Sequence, residues 1–241
     1  MKKLVLGCIL LGSTGLNAMA LDTMLKVADK NGQGAYVVTN NELDPVFVNV
    51  NLAKIKIKQG DVVKDYYTKD NLLSWEASVT QNKFIVKPGM KKIIGIRALC
   101  ADSCDENHDS IFAAQFTPTP YKKKGKEEKG VSISYGYESI FIIPAKNKKI
   151  SYTIKKNKSL VRLKNDSNTT LKVFFNQCSA MFKSDCSIKS VLLPGRVRTI
   201  KLPKNAQKGN INTIVTSIDD DFYRKEVLGD ENELHFSKKI N

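Results

Sequence analysis

Arginine is scarce in this 241-residue sequence: five residues, at positions 97, 162, 196, 198 and 224, against 34 lysines. Readers of nucleic-acid bases lean on arginine's planar fork, so a lysine excess points instead to a solvated surface. Two histidines and one tryptophan leave little material for acid–base chemistry near neutral pH. No G-x-S-x-G, H-E-x-x-H or glycine-rich phosphate loop occurs. After the first few residues no apolar run is long enough to cross a bilayer. These absences argue against an enzyme, a nucleic-acid binder and an inserted membrane protein, and they imply neither cofactor nor metal.

What is present is a net charge of +15 and a 41% hydrophobic fraction, enough to fill real cores. At the N-terminus, Lys2 and Lys3 precede the apolar run Leu4–Leu11, and Ala18-Met19-Ala20 has the small-x-small pattern of a cleavage site. Residues 1–20 therefore read as a secretory signal peptide cut after Ala20, leaving 221 residues carrying +13. Too little sequence precedes Cys8 for a lipoprotein signal. Four cysteines then remain: Cys100, Cys104, Cys178 and Cys186. In an oxidising compartment they suggest two disulfides, with three pairings open. The local pairs would each close a short loop, and neither His108 nor His235 sits where a zinc site would need it.

The mature chain reads as strands almost throughout. Ala35–Thr39 is a short β-rich run ending at Asn40-Asn41. Val46, Val48, Val50 and Leu52 alternate with polar or aromatic residues, and Ile55 and Ile57 continue at period two, as in half-buried strands. Phe84–Val86, Pro88-Gly89 and Ile93–Ile96 read as strand, tight turn, strand. Ile111–Phe116 is a further strand, stopped by Thr117-Pro118-Thr119-Pro120. Lys122–Gly130 is a charged, glycine-bounded loop. A second series follows: Ile150–Ile154, Leu160–Leu163, Leu171–Phe175, Val191–Leu193, Val197–Leu202 and Ile211–Ile218. No amphipathic helix of three turns is evident, nor an internal repeat. Asp219-Asp220-Asp221 reads as a solvated turn rather than a metal site. The economical division falls after Pro144, giving modules 21–144 and 145–241, each near the size of an immunoglobulin-like sandwich. The expected fold is all-β.

One strand stands out. In Val131–Tyr137, the side chains of Val131, Ile133, Tyr135 and Tyr137 share one face, with Ser132, Ser134 and Gly136 on the other. Such a row either lines its own core or stands at a sheet edge for another protein. An exposed apolar edge is an aggregation hazard unless a partner uses it, as in β-augmentation.

Several stretches resemble the periplasmic pilus-assembly chaperones of the chaperone–usher pathway, the PapD-like family. They are Phe84–Gly89 followed by Ile94-Gly95-Ile96-Arg97, then Asp109–Pro120 with its proline corner, and Ile140–Pro144 before an interdomain turn. In the second module Leu163–Asn165, Leu171–Val173, Cys178 to Cys186 and Leu193–Gly195 recur in family order. The resemblance implies two immunoglobulin-like domains in an angled, boomerang arrangement. It implies a periplasmic protein that caps pilus subunits by lending its own strand and hands them to an outer-membrane usher. Val131, Ile133, Tyr135 and Tyr137 would be the donated row. Family members anchor a subunit's terminal carboxylate with a basic residue on the first strand and another on the last. Here Lys26 is the basic candidate on the first, while Ser139 occupies the second position, suggesting a divergent alternate or archaic branch. The family's long-loop disulfide between its last two first-domain strands is not matched by Cys100 and Cys104, and Cys178 and Cys186 would staple a hairpin. The competing expectation is a secreted immunoglobulin-like adhesion protein whose lysines, Lys122–Lys129 included, meet acidic glycans.

Overall fold

The computed structural model describes residues 18–99, 105–120, 135–180 and 183–240. Ten strands come first: β1 (Met19–Leu21), β2 (Leu25–Val27), β3 (Gln33–Asn40), β4 (Val46–Lys58), β5 (Asp61–Tyr66), β6 (Ala77–Val79), β7 (Lys83–Val86), β8 (Lys91–Ala98), β9 (Ser110–Pro120) and β10 (Tyr137–Ile143). They form one sheet in the order β1-β3-β8-β6 and a second in the order β2-β10-β9-β4-β5, with β7 also on β4. Eight strands follow: β11 (Lys149–Asn157), β12 (Leu160–Asn165), β13 (Leu171–Asn176), β14 (Ser187–Leu192), β15 (Val197–Lys201), β16 (Ile211–Ser217), β17 (Tyr223–Leu228) and β18 (Glu233–Lys239). These make a β15-β12-β11-β18 sheet and a β14-β13-β16-β17 sheet. The chain is thus two immunoglobulin-like sandwiches, each with its own apolar core.

Period-two patterning explains the cores. Val46, Val48, Val50 and Leu52 of β4 are buried in the first sandwich with Phe112, Ala114 and Phe116 of β9 and Phe141 of β10. At Ala53 the phase of β4 inverts. Ala53 and Ile55 point to the opposite face, where they join Ile111, Ala113 and Ile142 with Leu193 and Ile218 of the second sandwich. The apolar run Leu52-Ala53 is therefore where one strand changes from serving its own core to serving the domain contact. That contact is tied by Asp109, whose carboxylate accepts the Ala145 N–H (2.9 Å) and the Thr170 N–H (2.6 Å). Arg196 Nη1 also donates to the Gly60 carbonyl at 2.6 Å.

A device invisible as a sequence repeat occurs in both sandwiches. Asn40 and Asn165 end equivalent strands, each fully buried. The side-chain oxygen of Asn40 accepts the Glu42 N–H and its amide donates to the Asp44 and Val86 carbonyls, all at 2.9 Å. Asn165 repeats the pattern with Ser167 (2.9 Å), Thr169 (3.0 Å) and Leu192 (2.8 Å). Each backbone carbonyl accepts the N–H of a Pro-Gly turn glycine, Gly89 or Gly195, at 2.8 Å. Both glycines have positive φ, +69° and +76°, which a side chain would strain.

Three details differ from the sequence reading. β9 does not stop at Thr117 but runs on through Pro118 to Pro120 along β4. Its ladder with β10 ends at Phe116, so these prolines lie where one side of the strand has no partner among the described residues, as strand prolines require. Asp219-Asp220-Asp221 is the turn expected, with Asp220 and Asp221 largely exposed, but its carboxylates are tied to lysines. Lys148 Nζ, on a side chain only 7% exposed, lies 2.7 Å from Asp219 and 2.8 Å from Asp221, and Lys172 bonds Asp220 at 2.5 Å. Finally, Met19 and Ala20, which precede the expected cleavage bond, form β1 with Leu21 in this full-length chain, and the Met19 side chain is buried in the first core. Of the cysteines, Cys178 and Cys186 are joined as a disulfide eight residues apart, while Cys100 and Cys104 lie outside the described residues.

Candidate functional site

The site is built at one edge of the second first-sandwich sheet. β10 lies antiparallel to β9 from Tyr137 to Ile143. Its other side is covered by the short parallel strand β2, but only at Ile140–Ile142, where Leu25, Lys26 and Val27 stand opposite. Tyr137, Glu138 and Ser139 therefore have β9 on one side and no strand on the other among the described residues. Periodicity does not register β2, whose three residues are too few, and only the family resemblance places Lys26 on a first strand. β2 nevertheless decides where the β10 edge begins.

Of the row singled out in the sequence, Val131 and Ile133 lie outside the described residues. Tyr135 is 66% exposed. Tyr137 is half-buried, packs against the first core and donates its hydroxyl to the Met19 carbonyl at 2.6 Å. The parity of the row continues through Ser139 to Phe141, a core residue. Odd-numbered side chains of β10 therefore point to the inner face at Tyr137, Ser139 and Phe141. Glu138, on the other face, is held by Lys64 at 2.6 Å.

Lys26 sits beside this edge. Its Nζ lies 3.4 Å from Asp22 and 5.9 Å from the Tyr36 ring centroid. Gly34 makes that placement possible. A Cβ there would come within 3.1 Å of both Lys26 Cγ and a Phe141 ring carbon. Behind Lys26, the hydroxyls of Tyr36 and Ser139 are buried, and neither makes a well-formed hydrogen bond. Burial pushes the Tyr36 phenol up to about 12; the nearby Ser139 hydroxyl opposes that shift and the Asp22 charge adds to it. One primary amine, with two donors in need of an acceptor beside it, is chemistry suited to a carboxylate.

A cleft of about 670 Å³ opens where the sandwiches meet, lined on β4 by Lys54, Lys56 and Lys58. Lys54 is paired with Glu76, and Lys56 with Asp65 at 2.6 Å. Across it, Asp105 bonds His108 Nδ1 at 2.8 Å. The Asn107 N–H, and then His108, hold the Asp105 carboxyl below its usual value. Among the described residues no group of three or more His, Cys, Asp or Glu is arranged to hold a metal ion. No helix among them is long and apolar enough to cross a membrane.

Residues 21–144 match the family model described as the CS5 fimbrial protein N-terminal domain. No curated protein sequence matches the chain. Among solved structures, the fold is similar to the class 5 fimbriae chaperone CfaA, at 14% identity and TM-score 0.50, over 87% of this chain and 98% of that one. It is also similar to a chain of the Salmonella enterica SafA pilin–SafB chaperone complex, at 12% identity and TM-score 0.53, over 94% and 99%. A third likeness is to a chain of the CsuC–CsuE chaperone–tip adhesion subunit pre-assembly complex, from the archaic chaperone–usher Csu pili of Acinetobacter baumannii. It stands at 10% identity and TM-score 0.52, over 89% and 100%. At these identities the likeness is one of fold.

Proposed function

Because this chain belongs to the family of the CS5 fimbrial protein N-terminal domain, we propose that it is a periplasmic chaperone for pilus subunits. In this reading it caps each subunit by donor-strand complementation and passes it to an outer-membrane usher. The observation that carries the reading is the edge of β10 before Ile140, which no strand among the described residues covers and which the apolar row directly precedes in the sequence. An incomplete client sandwich exposes strand edges and core, the features that make folding intermediates aggregate. A strand lent by Val131, Ile133, Tyr135 and Tyr137 would pair with the client's backbone and bury alternate side chains in its groove. Each large side chain fully buried in this way contributes about 1.5–3 kcal/mol. Lys26, backed by Tyr36 and Ser139, would hold the client's terminal carboxylate, so register is fixed at one end by charge and along the strand by apolar contacts. No nucleotide is required, because the client's own unfinished folding supplies the driving force for later release. The first sandwich, residues 21–144, carries the whole site in this reading, and residues 1–20 are the leader that exports it.

The test is co-expression in the periplasm with a signal-bearing pilus subunit. Recovery of a one-to-one complex is expected, together with its loss when Ile133 and Tyr135 are both replaced by Asp in a chaperone that still folds. Failure to obtain any complex, or an unaltered complex with the double variant, would overturn the reading.

A further inference from the structure

The β15-β12-β11-β18 sheet of the second sandwich turns one face to its core and the other to solvent. On the solvent face, β11 presents Lys149, Ser151, Thr153 and Lys155, and β12 presents Arg162 and Lys164. β15 adds Thr199 and Lys201, and β18 adds Glu233, His235, Ser237 and Lys239. Lys155 stands directly opposite Arg162, and Lys149 directly opposite Lys239. Like charges paired across strands destabilise a sheet. Glu233 reaches Lys155 only at 3.7 Å, and Asp166 meets Lys164 at 3.0 Å. Lys149, Arg162, Lys201 and Lys239 have no carboxylate partner among the described residues. Between the cations the face carries Ser151, Thr153, Thr199 and Ser237 with Glu233, His235 and the exposed Leu160, and no Phe, Tyr or Trp ring.

We propose that this face binds an anionic lipid surface peripherally, the juxtaposed cations of β11, β12, β15 and β18 meeting phospholipid headgroups. The outward side chains lie on a grid of about 5 Å across strands and about 7 Å along them. A flat grid of cations matches a plane of mobile anions, each of which can move to the nearest ammonium. An extended acidic glycan would gain more from a trough with stacking rings, which this face lacks. Lysine serves as well as arginine here, since the attraction is that of point charges near a charged plane. The surface lies on the other sandwich from the β10 edge, so it can hold the protein at a membrane while leaving that edge free.

The full-length mature protein is incubated with sedimentable vesicles of phosphatidylcholine alone, or with about one-third phosphatidylglycerol, at low and high salt. Binding is expected only to the anionic vesicles, with loss at about 0.5 M salt as screening shortens below the grid spacing. Neutralising Lys149, Arg162, Lys201 and Lys239 together to Gln should weaken binding by about 600-fold, each cation counting for about fivefold, or about 1 kcal/mol. Neutralising the exposed Lys30, Lys83, Lys87 and Lys91 of the first sandwich instead should leave binding within about twofold. Equal binding by the two variants, no preference for phosphatidylglycerol, or binding to soluble alginate in place of vesicles would each overturn the proposal. Subunit capture by the β10 edge is scored separately and is indifferent to all of these outcomes.

Discussion

Replacing Lys148 with Met tests the account of the second sandwich most sharply. The lysine stem is retained in length and volume, so the change removes charge and hydrogen bonds rather than packing. In the wild type the ammonium is almost wholly enclosed and is met by Asp219 at 2.7 Å and Asp221 at 2.8 Å. Burial alone would lower the Lys148 pKa, but hydrogen bonds to Asp219 and Asp221 outweigh it, and the group is held above its ordinary value. Asp219 shows the mirror case: burial would raise its carboxyl, and the bonds from Lys148 and Ser217 bring it below the usual value. Breaking a fully buried ion pair costs about 3–5 kcal/mol. Asp221 is 63% exposed and contributes little, so the loss here should be about 2–3 kcal/mol. For a domain of this size that corresponds to a fall of about 8–24 °C in the second sandwich's unfolding transition. Calorimetry across pH is the assay, with the two sandwiches read as separate transitions. Asp219's depressed pKa gives stability that is present above the unfolded carboxylate value and lost as pH falls through the lower folded value. In the variant Asp219 has no cation, so protonation relieves it. The gap between wild type and variant should therefore hold steady near neutrality and close below about pH 4. At the alkaline end the raised lysine pKa means its contribution is present below the unfolded value and disappears as pH climbs through the folded one. A gap under about 3 °C at neutral pH, or one that widens in acid, would refute the reasoning.

Two further outcomes follow from the first sandwich. Lys26→Gln should weaken capture of a pilus subunit by about 10- to 100-fold, the value of a charge-assisted hydrogen bond. It should shift the thermal midpoint by no more than about 2 °C, because the pair with Asp22 is long and partly exposed; titration calorimetry beside a melting curve checks both. A chain beginning at Leu21 lacks the buried Met19 side chain and the carbonyl that accepts Tyr137's hydroxyl. It should be about 2–4 kcal/mol less stable by urea denaturation than one beginning at Met19.

Much of the architecture follows from patterning that can be read along the chain. Alternation at Val46–Leu52 and the Pro-Gly turns at 88–89 and 194–195 fix strands and corners locally, through side-chain parity and positive φ. The pairing of Cys178 with Cys186 is likewise local in character. Other features depend on residues that meet only in space. The inverted phase of β4 at Ala53 has meaning only when Leu193 and Ile218 arrive from the other sandwich. The matching roles of Asn40 and Asn165 are carried by hydrogen bonds to backbone atoms, which any sequence can supply, and so leave no repeat to detect. Three acidic residues in a row look solvated until a lysine some seventy positions away is enclosed between two of them. The edge of β10 is the clearest division. Composition along Val131–Ile143 shows an oily side, because strand geometry forces alternate residues together. Whether the strand's edge is paired is a matter of neighbours: β2 reaches only Ile140–Ile142, and nothing in the order of residues announces where a three-residue strand will dock.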